Sequence, residues 1–170
     1  MTVLNRNPTN TGPLQPTKFL LNFNRISAVQ YFCQTVNLPG VTLGEVVRVT
    51  PFLDMYSPGT KLSYNNLDVT FIVDSELSGW KNLYDWFVSI ASPDGFEGRD
   101  GSLEIQQQKH FSDATLTILS SLNNPVMKVN FTNLFPVTMS DIRFDTTLSS
   151  DTIITVDATF RYQSYVYLTA

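Results

Sequence analysis

Reactive side chains are scarce in this sequence: 170 residues hold one cysteine, Cys33, and one histidine, His110. A single thiol excludes an intrachain disulfide, so the chain needs no oxidising compartment. One His and one Cys cannot supply the usual ligands of a zinc site. Any Ser-His-acid triad would have to run through His110, and no G-x-S-x-G elbow is present to position a serine. Charge is scarce too, at 15% of residues against roughly 25% in a typical soluble domain. Lys and Arg number 11 against 15 Asp and Glu, a net charge of −4. No basic run is long enough to track a phosphate backbone, which argues against tight nucleic-acid binding. No apolar stretch approaches transmembrane length, and residues 1–16 lack the apolar core of a signal peptide. The expectation is a soluble protein made in a cytoplasm, without membrane binding.

What fills the gap is Asn, Thr and Ser beside 42% hydrophobic residues. A polar but uncharged surface suits a protein covered by partners, because an unpaired charge is expensive inside an interface. The length fits one domain. Residues 1–16, rich in Pro and Asn and without periodicity, read as an extended N-terminal arm. Residues 17–170 read as the β domain.

Strand patterning begins where Phe19, Leu21 and Phe23 alternate with Asn22 and Asn24. A second strand is expected over about 28–37, with Val29, Tyr31 and Cys33 in one phase, ending at the turn Leu38-Pro39-Gly40. A third spans 43–50. Residues 51–66 then read as an irregular loop that carries Pro58-Gly59 and exposes Phe52, Met55, Tyr56 and Tyr64. Such a loop either folds back over its own core or meets a partner. Leu67, Val69, Phe71 and Val73 mark the next strand. At Asp74-Ser75 the period changes, and Leu77, Trp80, Tyr84, Phe87 and Ala91 predict an amphipathic helix capped by Asp74 or Ser75, with Lys81, Asp85 and Ser89 on its far side. Residues 92–109 form a second long loop. Three more strands follow, around Ala114–Ile118 in one, Met127–Phe131 in the next, and 151–168 in the last. The apolar phase of the last shifts after Tyr162, which indicates a bulge or a change of partner. The pattern defines a mainly β fold, two packed antiparallel sheets (a sandwich or partly closed barrel) with one flanking α-helix. Its strand edges carry few lysines to repel a neighbour.

Nothing in these residues assembles a catalytic centre. Cys33 reads as a buried structural thiol. Asp94, Glu97, Asp100 and Glu104 crowd the second loop, but their spacing does not follow a calcium loop, and a solvated acidic loop accounts for them. No catalytic, metal or cofactor site is expected.

Several short stretches resemble the tail tube proteins of contractile-tailed bacteriophages. They are Tyr31-Phe32-Cys33-Gln34 leading into Leu38-Pro39-Gly40, the helix with Trp80, Tyr84, Asp85 and Trp86, and above all the C-terminal Asn133-Leu134-Phe135-Pro136-Val137, Ile142-Arg143-Phe144-Asp145 and Ile154-Thr155-Val156 through Phe160 and Tyr162. The likeness covers most of residues 17–168. It implies a structural subunit whose sheets join edge to edge into hexameric rings, stacked around a channel through which DNA passes as transient cargo. Its partners would be further copies of itself and sheath, tape-measure, baseplate or tube-end proteins, all in the virion tail. The family's extended loop after the third strand contacts the adjacent ring; here that implies Phe52, Asp54, Met55, Tyr56, Pro58, Lys61 and Tyr64. The long N-terminal arm and the enlarged 92–109 loop depart from a main tube subunit and leave open a tube-initiator, tube-terminator or baseplate hub ring. Asp68, Asp74 and Asp157 are candidates for an acidic channel wall. Two readings from other classes are a sugar-binding sandwich presenting Tyr56, Tyr64 and Trp86, and a carboxylate glycosidase built on the acidic loop.

Overall fold

The computed structural model describes residues 12–26, 32–91, 110–147, 149 and 152–169. The expectations for residues 1–11, for Val29 and Tyr31, and for the loop bearing Asp94, Glu97, Asp100 and Glu104 lie outside the described residues. Nine strands and one helix appear among the described residues: β1 (Phe19–Phe23), β2 (Cys33–Val36), β3 (Val41–Arg48), β4 (Met55–Tyr64), β5 (Leu67–Ile72), α1 (Ser78–Ile90), β6 (Ser112–Leu119), β7 (Pro125–Met139), β8 (Thr155–Arg161) and β9 (Ser164–Thr169).

Seven strands form one antiparallel set in the order β1-β6-β7-β8-β5-β2, with β9 added on β7. The set folds into two layers because β7 belongs to both. Its first part pairs with β6 and β9, from Met127 opposite Thr169 to Thr132 opposite Ser164. Its end pairs with β8, Phe135 opposite Arg161 and Met139 opposite Ala158. Alternation puts Leu21, Phe23, Leu116, Val129 and Phe131 of one layer against Leu67, Val69, Phe71, Val156, Ala158 and Phe160 of the other in a single buried core. The rings of Phe23 and Phe160 meet across it at 5.1 Å. The path does not close into a barrel, since β1 and β2 stand at its two ends.

The joint in β7 is Asn133. Its φ of 53° lies in the left-handed region, which Asn tolerates better than most residues. One residue of β6, Asp113, faces two of β7, so the ladder carries a bulge between the pairs Ala114–Phe131 and Ser112–Leu134. The Asn133 backbone N–H donates to Asp113 Oδ1 at 3.0 Å, and its side-chain amide donates to Gln163 Oε1 at 2.6 Å. The extra residue flips the phase, so Phe131 and Leu134 are both buried. β7 therefore runs to Met139, well past the expected strand around Phe131. On the opposite ribbon the shift after Tyr162 is a change of partner: β8 pairs β5 and the end of β7, whereas β9 pairs the first part of β7.

Residues 51–66 are not a loop. Met55–Tyr64 is strand β4, which pairs with β3 from Val41–Tyr64 out to Arg48–Met55, and the two form a separate two-stranded sheet. The ladder shifts between Leu43–Leu62 and Glu45–Pro58, so Pro58-Gly59 marks a bulge rather than a turn, a place where proline's missing N–H is tolerated. A Cβ on Gly59 would lie 2.6 Å from the Gly44 carbonyl oxygen and 2.8 Å from its carbon, backbone atoms with nowhere to swing. Gly59→Ala is expected to weaken the hairpin by about 1–3 kcal/mol. Gly44→Ala, whose Cβ would meet Lys61 O at an ordinary 3.4 Å, is expected to be tolerated. Hydrogen exchange across β3 and β4 checks the contrast; equal protection in both variants would contradict it.

α1 packs on the core through the expected Trp80 and Phe87, both partly buried against it, and through further residues outside the expected stripe. Gly79, Leu83 and Trp86 are buried, while Tyr84 is 47% exposed and stacks flat on Trp80 at 5.3 Å. Leu77 sits at the N-cap in the left-handed region without a side-chain cap. Asp74 takes over, its Oδ2 accepting the Ser78 hydroxyl at 2.5 Å and its carbonyl accepting Leu77 N–H. The Ser78 hydroxyl, aided by backbone N–H groups, holds the Asp74 carboxyl below the usual range against a smaller desolvation effect.

Candidate assembly surfaces

The β3–β4 hairpin buries almost nothing of itself. Every residue of β3 is exposed, and in β4 only Gly59 and Tyr64 are partly covered. Its end carries Phe52, 99% exposed, with Leu53, Met55 and Tyr56 also open to solvent. Asp54, Pro58 and Lys61 are exposed beside them. Thr50 organises the connection, its hydroxyl bonding the Leu53 carbonyl and accepting Leu53 N–H at 3.2 Å. A two-stranded hairpin is marginal in water on its own, so so much exposed apolar surface on one projecting element signals a contact surface. Of the seven residues expected to form the contact loop, the hairpin presents six outward. Tyr64 differs, since it sits half-buried at the base.

That base is an aromatic cluster which sequence reasoning missed. Tyr64 lies 5.8 Å from Tyr162 and 5.2 Å from Tyr165, and Phe131 lies 5.0 Å from Tyr162. The Tyr162 hydroxyl donates to Asn65 O at 2.9 Å, and the Tyr165 hydroxyl donates to Pro39 O at 3.4 Å. Asn65 N–H closes the foot of the hairpin on Gly40 O at 3.0 Å. Burial, then the neighbouring Tyr165 and Tyr64, push Tyr162 up to about 12. The folded state thus favours the neutral phenol. This contribution is complete below the ordinary tyrosine value of about 10 and is lost as pH rises through about 12. An ultraviolet titration is expected to show a late-ionising component that Tyr162→Phe removes. A titration curve unchanged by that substitution would contradict this.

Strand edges form the second surface. Among the described residues β1 pairs only with β6, β2 only with β5 and β9 only with β7. β9 carries no charge or proline, and Val166, Tyr167 and Leu168 are each more than half exposed, so it lacks the features that keep an edge from pairing.

A third surface is the face of β5 and β8 turned away from the core. Thr70 Oγ1 donates to Asp157 Oδ1 at 2.6 Å, and Thr159 Oγ1 donates to Asp68 Oδ1 at 2.9 Å. Asn37 adds a donor to Asp68 Oδ2 at 3.3 Å. Together with Thr35 these residues line an open depression of about 400 Å³. Asp68 and Asp157 therefore share one face, while Asp74 is occupied at the start of α1.

The remaining reactive groups take structural places. Cys33 is half-buried against the core; its thiol points at Thr35 O at 3.6 Å, and burial pushes it up to about 11. His110 contributes its carbonyl, which accepts the Trp86 indole N–H at 2.9 Å. Among the described residues no group of three or more His, Cys, Asp or Glu is placed to hold a metal, and no helix is long and apolar enough to cross a membrane. The sugar-binding reading needed Tyr56, Tyr64 and Trp86 on one surface. Trp86 is 1% exposed and Tyr64 is packed in the cluster, so that trio offers no platform.

Strand edges without a partner among the described residues and a projecting apolar arm are the surfaces of an assembly subunit. The sequence profile of the phage tail tube protein family matches residues 8–168, and the chain belongs to that family. Its role is structural and associated with a phage tail tube. The tail tube terminator protein of Enterobacteria phage T4 is 29% identical over 143 residues, covering 82% of this chain and 78% of that protein. In fold, the chain is similar to the tube terminating cap of the anti-feeding prophage, with a TM-score of 0.64, 16% identity and 100% coverage of both chains. A similar likeness holds for the sheath/tube terminator of the PVC extracellular contractile injection system in its extended state, with a TM-score of 0.64 at 16% identity over 93% of this chain and 98% of that one.

Proposed function

We propose that this chain forms a ring that ends the tail tube, a terminator, rather than the subunit repeated along it. The observation that carries this reading is the alignment with the phage T4 tail tube terminator across most of both chains. Subunits join edge to edge through uncharged strand edges into a closed, hexameric ring, as a heterologous interface that closes must. The hairpin residues Phe52, Asp54, Met55, Tyr56, Pro58 and Lys61 reach the adjoining tube ring, and Tyr64 anchors the arm that presents them. The face bearing Asp68 and Asp157 lines the channel, where carboxylates repel passing DNA phosphates. Sheath and other tail-end proteins meet the outer surface, with residues 1–16 as an additional contact arm. The repeating-subunit reading draws on the fold likeness to the PVC sheath-tube complex, with a TM-score of 0.59.

Electron microscopy of the purified chain, alone and mixed with tail tubes, separates the two. Discrete rings that cap tube ends support the terminator. Long filaments of this chain alone would overturn it in favour of the repeating subunit.

A further inference from the structure

The hairpin is joined to the body by two short connections, one leaving β2 through Asn37 to Gly40 and one entering β5 through Asn65 and Asn66. Covalently, such an arm is free to swing about its two feet. Each foot, however, is held by a tyrosine of the C-terminal ribbon. Tyr162, at the point where the C-terminal ribbon leaves β8, donates to Asn65 O on the returning foot. Tyr165, within β9, donates to Pro39 O on the outgoing foot. The ring of Tyr64, the last residue of the arm, packs against both tyrosine rings. Asn37 ties the feet laterally, its amide donating to Asn66 O at 3.1 Å. The tyrosines are backed by Phe131 of β7, which is buried in the core and lies 5.0 and 5.8 Å from their rings.

We infer that Tyr162 and Tyr165 are positioning residues that clasp the two feet of the hairpin to the β8–β9 crossover, so that the arm and the open edge strand β9 hold a fixed relative orientation. The arm's own ladder stiffens it along its length, but nothing in that ladder sets its angle to the body. The clasp does so together with the Asn37–Asp68 bonds that tie the outgoing foot to β5, because its two hydroxyl bonds and its ring contacts act on opposite feet. Among the described residues the outer edge of β9 has no partner strand, so a contact made along that edge and a contact made by the hairpin are mechanically linked through one cluster.

The test uses the full chain carrying Tyr162→Phe, Tyr165→Phe and both together, with hydrogen exchange read separately over residues 37–66 and over β5 to β8. Each substitution keeps the ring and removes only the hydroxyl. The double variant is expected to speed exchange at the feet of the hairpin by about tenfold or more, as the loss of two hydrogen bonds implies, with core amides unchanged. Tyr64→Leu, which removes the ring both tyrosines touch, is expected to reproduce the same local pattern. Unchanged exchange at the feet, or a rise shared equally by the core, would overturn the clasp. The measurement is made on the unassembled chain, so it is read whether or not rings form and fails independently of the terminator reading.

Discussion

Trp86→Ala is expected to remove about 3–5 kcal/mol of stability, the range for truncating a large buried aromatic. Trp86 is 1% exposed, and several elements close around it. Its ring lies 6.1 Å from Phe160 of β8, the Arg25 guanidinium covers it at 5.2 Å, and its N–H satisfies His110 O. Truncation leaves a cavity between α1 and the sheets and strips a carbonyl of its donor. Against a typical net stability of about 5–15 kcal/mol, such a loss lowers the melting temperature by about 6–20 °C for a domain of this size. Trp86→Phe keeps most of the volume and loses the hydrogen bond, so about 1–2 kcal/mol is expected for it. Urea or thermal denaturation of the two variants checks the ordering. A Trp86→Ala protein as stable as the parent would show that α1 is not part of the core.

The second large effect falls on assembly and leaves folding alone. Replacing Phe52, Met55 and Tyr56 together by serine is expected to abolish joining to a tube. These side chains are 99%, 53% and 66% exposed and contribute nothing to the core, so the melting temperature should stay within a degree or two, as for surface substitutions of small effect. At a contact centre, truncated aromatic and Met side chains each remove a sizeable share of the binding energy, about 1 kcal/mol or more apiece. Co-sedimentation with tail tubes measures the loss. Undiminished binding by a well-folded triple variant would remove the hairpin from the interface.

Much of the sheet was legible in the sequence, because burial on one face forces period-2 alternation. Leu67, Val69 and Phe71 in β5 and Val156, Ala158 and Phe160 in β8 have it and were assigned correctly. Strand β4 escaped for the opposite reason. It has no buried face to impose alternation, and Pro58-Gly59 imitates a turn while serving a bulge. The extension of β7 was hidden by Asn133, whose left-handed backbone resets the phase and ends any period-2 count. In α1 the expected stripe took in Tyr84, which is exposed, and passed over Gly79, a residue with no hydrophobic signal that is nevertheless buried. Of the contact surface, Phe52, Met55 and Tyr56 could be read from their exposure as unpatterned apolar residues. The tyrosine cluster could not, because Tyr64 lies 98 residues from Tyr162 and 101 from Tyr165 (162 − 64 and 165 − 64), and only the topology brings them together.

The shared strand β7 has a mechanical meaning. In an ordinary sandwich two layers are held face to face by packed side chains and joined through connecting loops, which give under a shearing load. Here fifteen residues of continuous backbone pass from one layer into the other, with β8 and β9 accompanying them as a second continuous thread. A pull on either layer is borne by covalent bonds crossing at Asn133 and at Gln163, whose side chains are hydrogen-bonded to each other. The layers cannot slip without drawing both threads through that knot of amides, so the domain yields to tension as one body.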